Sequence, residues 1–270
     1  MLRSAIDDLN LDQFLPMLPV PDQDEHIRVI PHPDRDHPMF YWIFRNKDFS
    51  QWNSAECSRV LWLSGLPERN IDQVSSYVVH QEKETALNTG HFVLYFFCSS
   101  AIKGKSSVAD FVHTLLKQIV YCSPMGKRIS IIRNFLHSLF DSLLGKAFKR
   151  KTSFNLEEWR LDKKCSPDEN IKKILNAPVN ELFTALCTVL DDQEQRGLSL
   201  IVDGLDKVEH QRDECIRGIR AFIEHLQQRA SKVKVLLTSQ PLVEIRELLN
   251  GLPCIEYDRE RKGLPIPFSN

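Results

Sequence analysis

Two stretches of the 270-residue sequence carry parts of a phosphate-binding loop, G-x-x-x-x-G-K-[ST], and neither carries all of it. The pattern has a chemical basis. Glycines let backbone N–H groups wrap the phosphates, and the lysine neutralises the outer ones. The hydroxyl binds magnesium, and the helix that follows turns its positive end to the anion. Residues 65–72, GLPERNID, keep Gly65 but place Asn70, Ile71 and Asp72 where Gly-Lys-Ser/Thr belongs. Residues 99–106, SSAIKGKS, keep Gly104, Lys105 and Ser106 and lack only the first glycine. A third stretch, LSLIVDGLD, ends an apolar run on two acids, Asp203 and Asp206.

These residues need elements to hold them. From residue 59 the pattern is regular: apolar runs at 60–64, 92–98, 199–203, 233–238 and 253–257 read as strands. Helical periodicity lies between them, over 71–84, SVADFVHTLLKQIVYC, 127–145, 178–192, 212–229 and 241–250. The alternation predicts an α/β fold, a five-stranded parallel sheet with helices on both faces. In such sheets ligands bind beyond the C-terminal strand ends, where Gly65, Asp203 and Ser239 fall.

Topology also separates the two loop candidates. If 92–98 were the first strand of a nucleotide fold, a second should precede the acid-bearing strand, and none is visible between 122 and 198. Starting at 60, five strands fill the core with none missing. Gly104-Lys105-Ser106 then opens a helix as a polar turn and N-cap. This reading is favoured over a working loop at 99–106, which stays open as the alternative.

The remaining segments carry less chemistry. Residues 1–38 begin with a short amphipathic pattern and become Pro-rich, which reads as an extended lead-in. His32 and His37 flank acids in HPDRDHP, but with no third ligand nearby a solvated turn is the expectation. MFYWIFRNKDFSQWNS reads as a packing helix. Residues 39–258 are expected to form the main domain, with 146–170 a charged, irregular insertion or loop and 259–270 a disordered tail.

Hydrophobic residues make up 42% of the chain and charged residues 26%, enough for a buried core. A net charge of −1 gives no signal for nucleic acid or an acidic membrane surface. The seven cysteines are odd in number, widely spaced and without a C-x-x-C pair, which points to a reducing compartment. With no secretory signal and no run near the ~20 apolar residues of a membrane span, a soluble cytoplasmic protein is expected.

Taken together, SRVLWLSGLPE, FVLYFFCSS, LSLIVDGLDKVE and KVKVLLTSQP resemble a NACHT domain. The likeness is to the nephrocystin-like N-terminal module common in large fungal signalling proteins of the STAND class, and it runs over roughly residues 40–258. It implies a P-loop NTPase fold. In the family, the first strand's loop binds ATP or ADP, the acids of the DGLDE strand end bind magnesium and activate water, and an Arg in SRP senses the γ-phosphate.

Carried over residue by residue, the likeness makes Gly65, Pro67, Asn70, Ile71 and Asp72 the nucleotide loop. It makes Asp203 the magnesium ligand, Asp206 a catalytic acid and Gln240 the stand-in for the sensor Arg. The departures matter most. Ile71 brings no charge to the phosphates and Asp72 brings the wrong one. Lys207 replaces an acid, and either pairs with Asp203 or Asp206 or supplies the missing loop cation from another direction. Asn70 and Asp72 suit an empty site, as a helix cap and a first-turn acid.

The resemblance therefore implies a NACHT-like domain with a degenerate nucleotide site, a non-hydrolysing regulatory or scaffolding module in STAND-type signalling. Protein partners are expected, NACHT relatives or further copies of the chain among them, with no nucleic acid and no membrane. Cofactors would be none, or weakly held ATP/ADP with Mg. The alternatives are a weak ATP/ADP-binding switch and a phosphotransferase using Gly104-Lys105-Ser106. The chain is short for a complete STAND protein and reads as a fragment, a truncated paralogue or a stand-alone decoy.

Overall fold

The computed structural model describes residues 2–18, 23–24, 27, 43, 45–54, 58–66, 71–102, 104–149, 166–193, 196–208, 212–229 and 231–257. In chain order the elements are α1 (Leu2–Asp7), α2 (Leu11–Phe14), α3 (Lys47–Ser54), β1 (Arg59–Ser64), α4 (Ile71–Thr89), β2 (Phe92–Phe97), α5 (Val108–Cys122), α6 (Met125–Lys149), α7 (Pro167–Leu175), α8 (Val179–Asp191), β3 (Leu198–Asp203), α9 (Arg212–Gln227), β4 (Val233–Ser239), α10 (Val243–Leu248) and β5 (Cys254–Glu256). They form two compact units: Met1–Val20 with Val108–Gln193, and Pro21–Ser107 with Glu194–Asn270.

The second unit holds a five-stranded parallel sheet in the order β2-β3-β4-β1-β5. The expected α/β architecture is therefore present, and the five strands are those read from the sequence. Strands β2, β3 and β4 are buried along their whole length, which is why they read as near-continuous apolar runs, interrupted at Ser199 and Lys234, rather than as alternating ones. The connection from β1 through α4 to β2 runs one way along the sheet, and that from β3 through α9 to β4 runs the other. Right-handed crossovers then put α4 and α9 on opposite faces. The α4 face carries one continuous core of α3, α4 and the strands, including Phe49, Trp52, Leu61, Val78, Tyr95 and Ile201. The chain leaves the neighbouring strands β1 and β4 for opposite faces of the sheet, with α10 packed on α9, so the binding crevice lies at the C-terminal ends of those two strands.

Both edges of the sheet are short or covered. Strand β5 has three residues. At the other edge, the Gln23 side-chain oxygen accepts the Phe97 N–H at 3.0 Å, and Asp24 takes the Tyr95 hydroxyl and Lys83. Such capping removes edge groups that would otherwise pair with another chain.

A buried charge cluster lies toward the N-terminal ends of the strands. Glu82 of α4 accepts from Lys234 of β4 and Ser199 of β3, with His91 Nε2 at 3.4 Å. Burial alone would raise the Glu82 pKa, but the nearby His91 and the hydrogen bonds from Lys234 and Ser199 outweigh it and bring it down to about 2.

In the helical unit, α8 packs on α5 and α6, and α1 packs on α6 and α7. Phe111 and Phe183 meet with ring centroids 5.8 Å apart. The ends of segment 146–170 are helical rather than irregular: α6 runs to Lys149 and α7 starts at Pro167. The signal for α7 is present in the sequence, because Ser166 and Glu169 form a capping box around Pro167 at the first turn. Residues 150–165, the tail 259–270, and His32 and His37 lie outside the described residues.

His113 is buried, and its Nε2 bonds the Leu175 carbonyl at 3.0 Å. Burial lowers its pKa to about 4, against the opposing pull of that carbonyl. A histidine depressed in the folded state binds fewer protons there than when unfolded. Stability should therefore fall as pH drops from 6.5 to 4 and then level off with respect to this group. Urea melts across that range should show the slope, and His113→Gln should flatten it.

Candidate functional site

Strand β1 ends at Ser64, and Gly65 follows with its N–H on the Ser239 carbonyl at 3.1 Å, extending the β1–β4 ladder by one bond. A Cβ at position 65 would overlap the Ile71 side chain and press on Tyr257, so this close approach requires glycine. Ile71 opens α4 and is buried in the core of that face, with its tip over Gly65. Asp72 follows in the first turn, half-buried. Pro67 and Asn70 lie outside the described residues.

At the end of β3, Asp203 is only 2% exposed. Its Oδ1 accepts hydroxyl hydrogen bonds from Ser75 of α4 and Thr238 of β4, both at 2.7 Å. Among the described residues, its Oδ2 accepts no hydrogen bond and has Lys207 Nζ at 3.8 Å. Gly204 takes a left-handed conformation, φ 71°, and leads into a 3-10 turn over Leu205–Lys207. The Gly204 N–H is held by Thr238 Oγ1 at 3.0 Å. The Lys207 stem lies over Gly204, within 2.9 Å of where a Cβ would be. Asp206 Oδ1 accepts the Gln240 N–H at 2.9 Å. Gly204→Ala is expected to lose about 1–2 kcal/mol of stability through the left-handed strain, and to displace Lys207 as well; a urea titration beside the parent measures it.

Gly65, Ile71, Asp72, Asp203, Asp206, Lys207 and Gln240 thus converge on one pocket of about 160 Å³, which Leu66, Gly204, Thr238 and Ser239 also line. Ser75 and Thr238, which hold Asp203, were not singled out from the sequence. Position offers a weak signal for both, since Ser75 lies one helical turn past Ile71 and Thr238 one residue before the strand end.

The second loop candidate lies elsewhere. Gly104, Lys105 and Ser106 follow the edge strand β2 and are not among the residues lining this pocket. Lys105 is 2% exposed, and its carbonyl accepts the Ser99 N–H while its own N–H bonds Ile102, closing a tight turn. Burial first, with the Asp203 charge adding to it, pushes the nearby Cys98 thiol well up, which keeps it protonated.

Among the described residues, no group of three or more His, Cys, Asp and Glu is placed to hold a metal ion. Among the same residues, no helix is long and apolar enough to cross a membrane. A family model described as Nephrocystin 3, N-terminal, matches residues 39–240, a span that takes in Gly65, Asp203 and Gln240. A search of curated proteins gives no match.

Proposed function

Since the chain belongs to the nephrocystin 3 N-terminal family, we propose that it is a NACHT-like P-loop domain whose nucleotide site is degenerate. In this reading it is a regulatory or scaffolding module in STAND-type signalling that does not hydrolyse nucleotide. It works in the cytoplasm through protein partners, NACHT relatives or other copies of itself. The observation that carries the reading is Ile71: at the position of the phosphate-binding lysine, an apolar side chain packs into the core over Gly65. A magnesium-bound triphosphate suits the remaining residues poorly. Asp72 adds negative charge where phosphates would lie, Asp203 Oδ1 is committed to two hydroxyls, and 160 Å³ falls below the roughly 300–1,000 Å³ of ligand pockets.

Calorimetric titration of the purified chain with ATP and ADP in the presence of magnesium is expected to give no binding heat up to millimolar ligand. Micromolar binding would overturn the reading. Restoring Gly-Lys-Ser through Asn70→Gly, Ile71→Lys and Asp72→Ser together should raise nucleotide affinity, and no gain would count against it. One observation favours a second reading, a weak ATP/ADP switch: Lys207 borders the pocket with its side chain 42% exposed. In that case nucleotide binds and Lys207→Ala abolishes it.

A further inference from the structure

Resting on that reading, we propose that the pocket at the ends of β1, β3 and β4 takes a compact organic cation, an alkyl-guanidinium, in place of a phosphate. Among the described residues, three carboxylates line it, Asp72, Asp203 and Asp206, against one ammonium, Lys207. The charge of that lining is the reverse of what an anion site needs.

The independent observation is Asp203 Oδ2. It belongs to a side chain 2% exposed that lines the pocket, and it accepts no hydrogen bond from the described residues. Lys207 Nζ at 3.8 Å neutralises it in part but stands beyond hydrogen-bond reach. A buried carboxylate oxygen left in that state destabilises the site, and a cation that brings N–H donors relieves it.

Guanidinium meets the requirement better than ammonium. Its planar fork presents several N–H donors in fixed directions, so one group can serve more than one carboxylate oxygen. The 160 Å³ of space holds several waters. That admits a guanidinium head and the start of its stem. Leu66, 42% exposed where it lines the pocket, offers apolar surface to the methylenes. Lys207 acts as the resident competitor, with its stem folded over Gly204 and its charge directed to the same oxygen. The guanidinium comes either from a free small molecule or from an arginine side chain of a partner protein.

The test is titration of the full chain at low salt with butylguanidine, butylamine and the blocked peptide acetyl-Gly-Arg-Gly-amide, followed by calorimetry and NMR shifts. Magnesium-ATP is titrated separately. Butylguanidine should bind more tightly than butylamine. Asp206→Asn should weaken it about tenfold, the scale of a charge-assisted hydrogen bond, and Lys207→Ala should tighten it about two- to fivefold as the competing ion pair is removed. Tighter binding of the peptide supports a partner's arginine as the source, and tighter binding of butylguanidine supports a free cation. No binding of either guanidinium, with magnesium-ATP also silent, overturns this inference alone. Binding of magnesium-ATP overturns the functional reading and this one with it. Guanidinium binding indifferent to both substitutions places the cation elsewhere and also overturns the proposal.

Discussion

Glu82→Gln is expected to destabilise the sheet unit by about 3–5 kcal/mol, because it leaves Lys234 charged and buried without its counter-ion. The side chains of Glu82 and Lys234 are 4% and 10% exposed, so water cannot replace the lost partner. Ser199 loses its carboxylate acceptor in the same step, and His91 the carboxylate 3.4 Å from its Nε2. The measurement is the urea midpoint and slope of the variant against the parent. A loss under about 1 kcal/mol, the range of exposed ion pairs, would mean that water reaches the pair in solution. The double substitution Glu82→Leu with Lys234→Met should recover most of the loss, since apolar residues of similar size often replace a buried pair at little net change.

The same pair has an acid signature. The Glu82 pKa is lowered from 4.5 to about 2 on folding. Its stabilising contribution is therefore complete above 4.5 and is lost as pH falls through 2.

Trp52→Ala is expected to lose about 3–5 kcal/mol, the range for emptying a large aromatic site in a core. Three observations support the upper part of that range. Trp52 is 1% exposed. Its Nε1–H donates to the Val235 carbonyl at 2.9 Å, tying α3 to the middle of the sheet. The Lys234 ammonium lies 5.3 Å from the ring centroid, a cation–π contact with the same buried lysine. Trp52→Phe keeps most of the packing and removes the hydrogen bond, so it should lose only about 1 kcal/mol for that bond plus the volume difference. Equal losses for the two substitutions would show that the hydrogen bond, not the ring volume, carries the effect. Because Lys234 touches both Glu82 and Trp52, their substitutions should be non-additive in a double-mutant cycle.

These two positions also show what the sequence reveals and what it hides. The five strands could be read because a buried parallel strand is a local property: VLWL or FVLYFF is a near-continuous apolar run, whatever it pairs with. Aromatic spacing in DFSQW likewise exposed the packing face of α3. Gly65, Asp203 and Ser239 could be placed together because a parallel sheet brings all its C-terminal ends to one side.

Pairings across long separations could not be read. Glu82 in a helix and Lys234 in a strand each look like solvated charges until the fold sets them against one another. Asp203 gives no hint in the sequence that Ser75 and Thr238 will take one of its oxygens and leave the other bare. Lys105 reads as part of a polar turn, and only the fold shows that it is buried. α7 was missed for a different reason. Its Ser-Pro-Asp-Glu start is local and legible, but it lies inside a charged stretch whose average polarity masks it.

The strand order has a consequence for how the chain is made. Strand β1 is the first strand to leave the ribosome and sits between β4 and β5, so Arg59 must wait for Lys234 and Trp62 for Cys254. At roughly 5–20 residues per second, that delay lasts roughly 10–35 s. Throughout it, Val60-Leu61-Trp62-Leu63 is an unpaired apolar segment, a natural client for a chaperone during translation. The sheet closes only when its last strands arrive, so a chain halted before residue 233 should be held by chaperones or aggregate rather than accumulate as a folded intermediate.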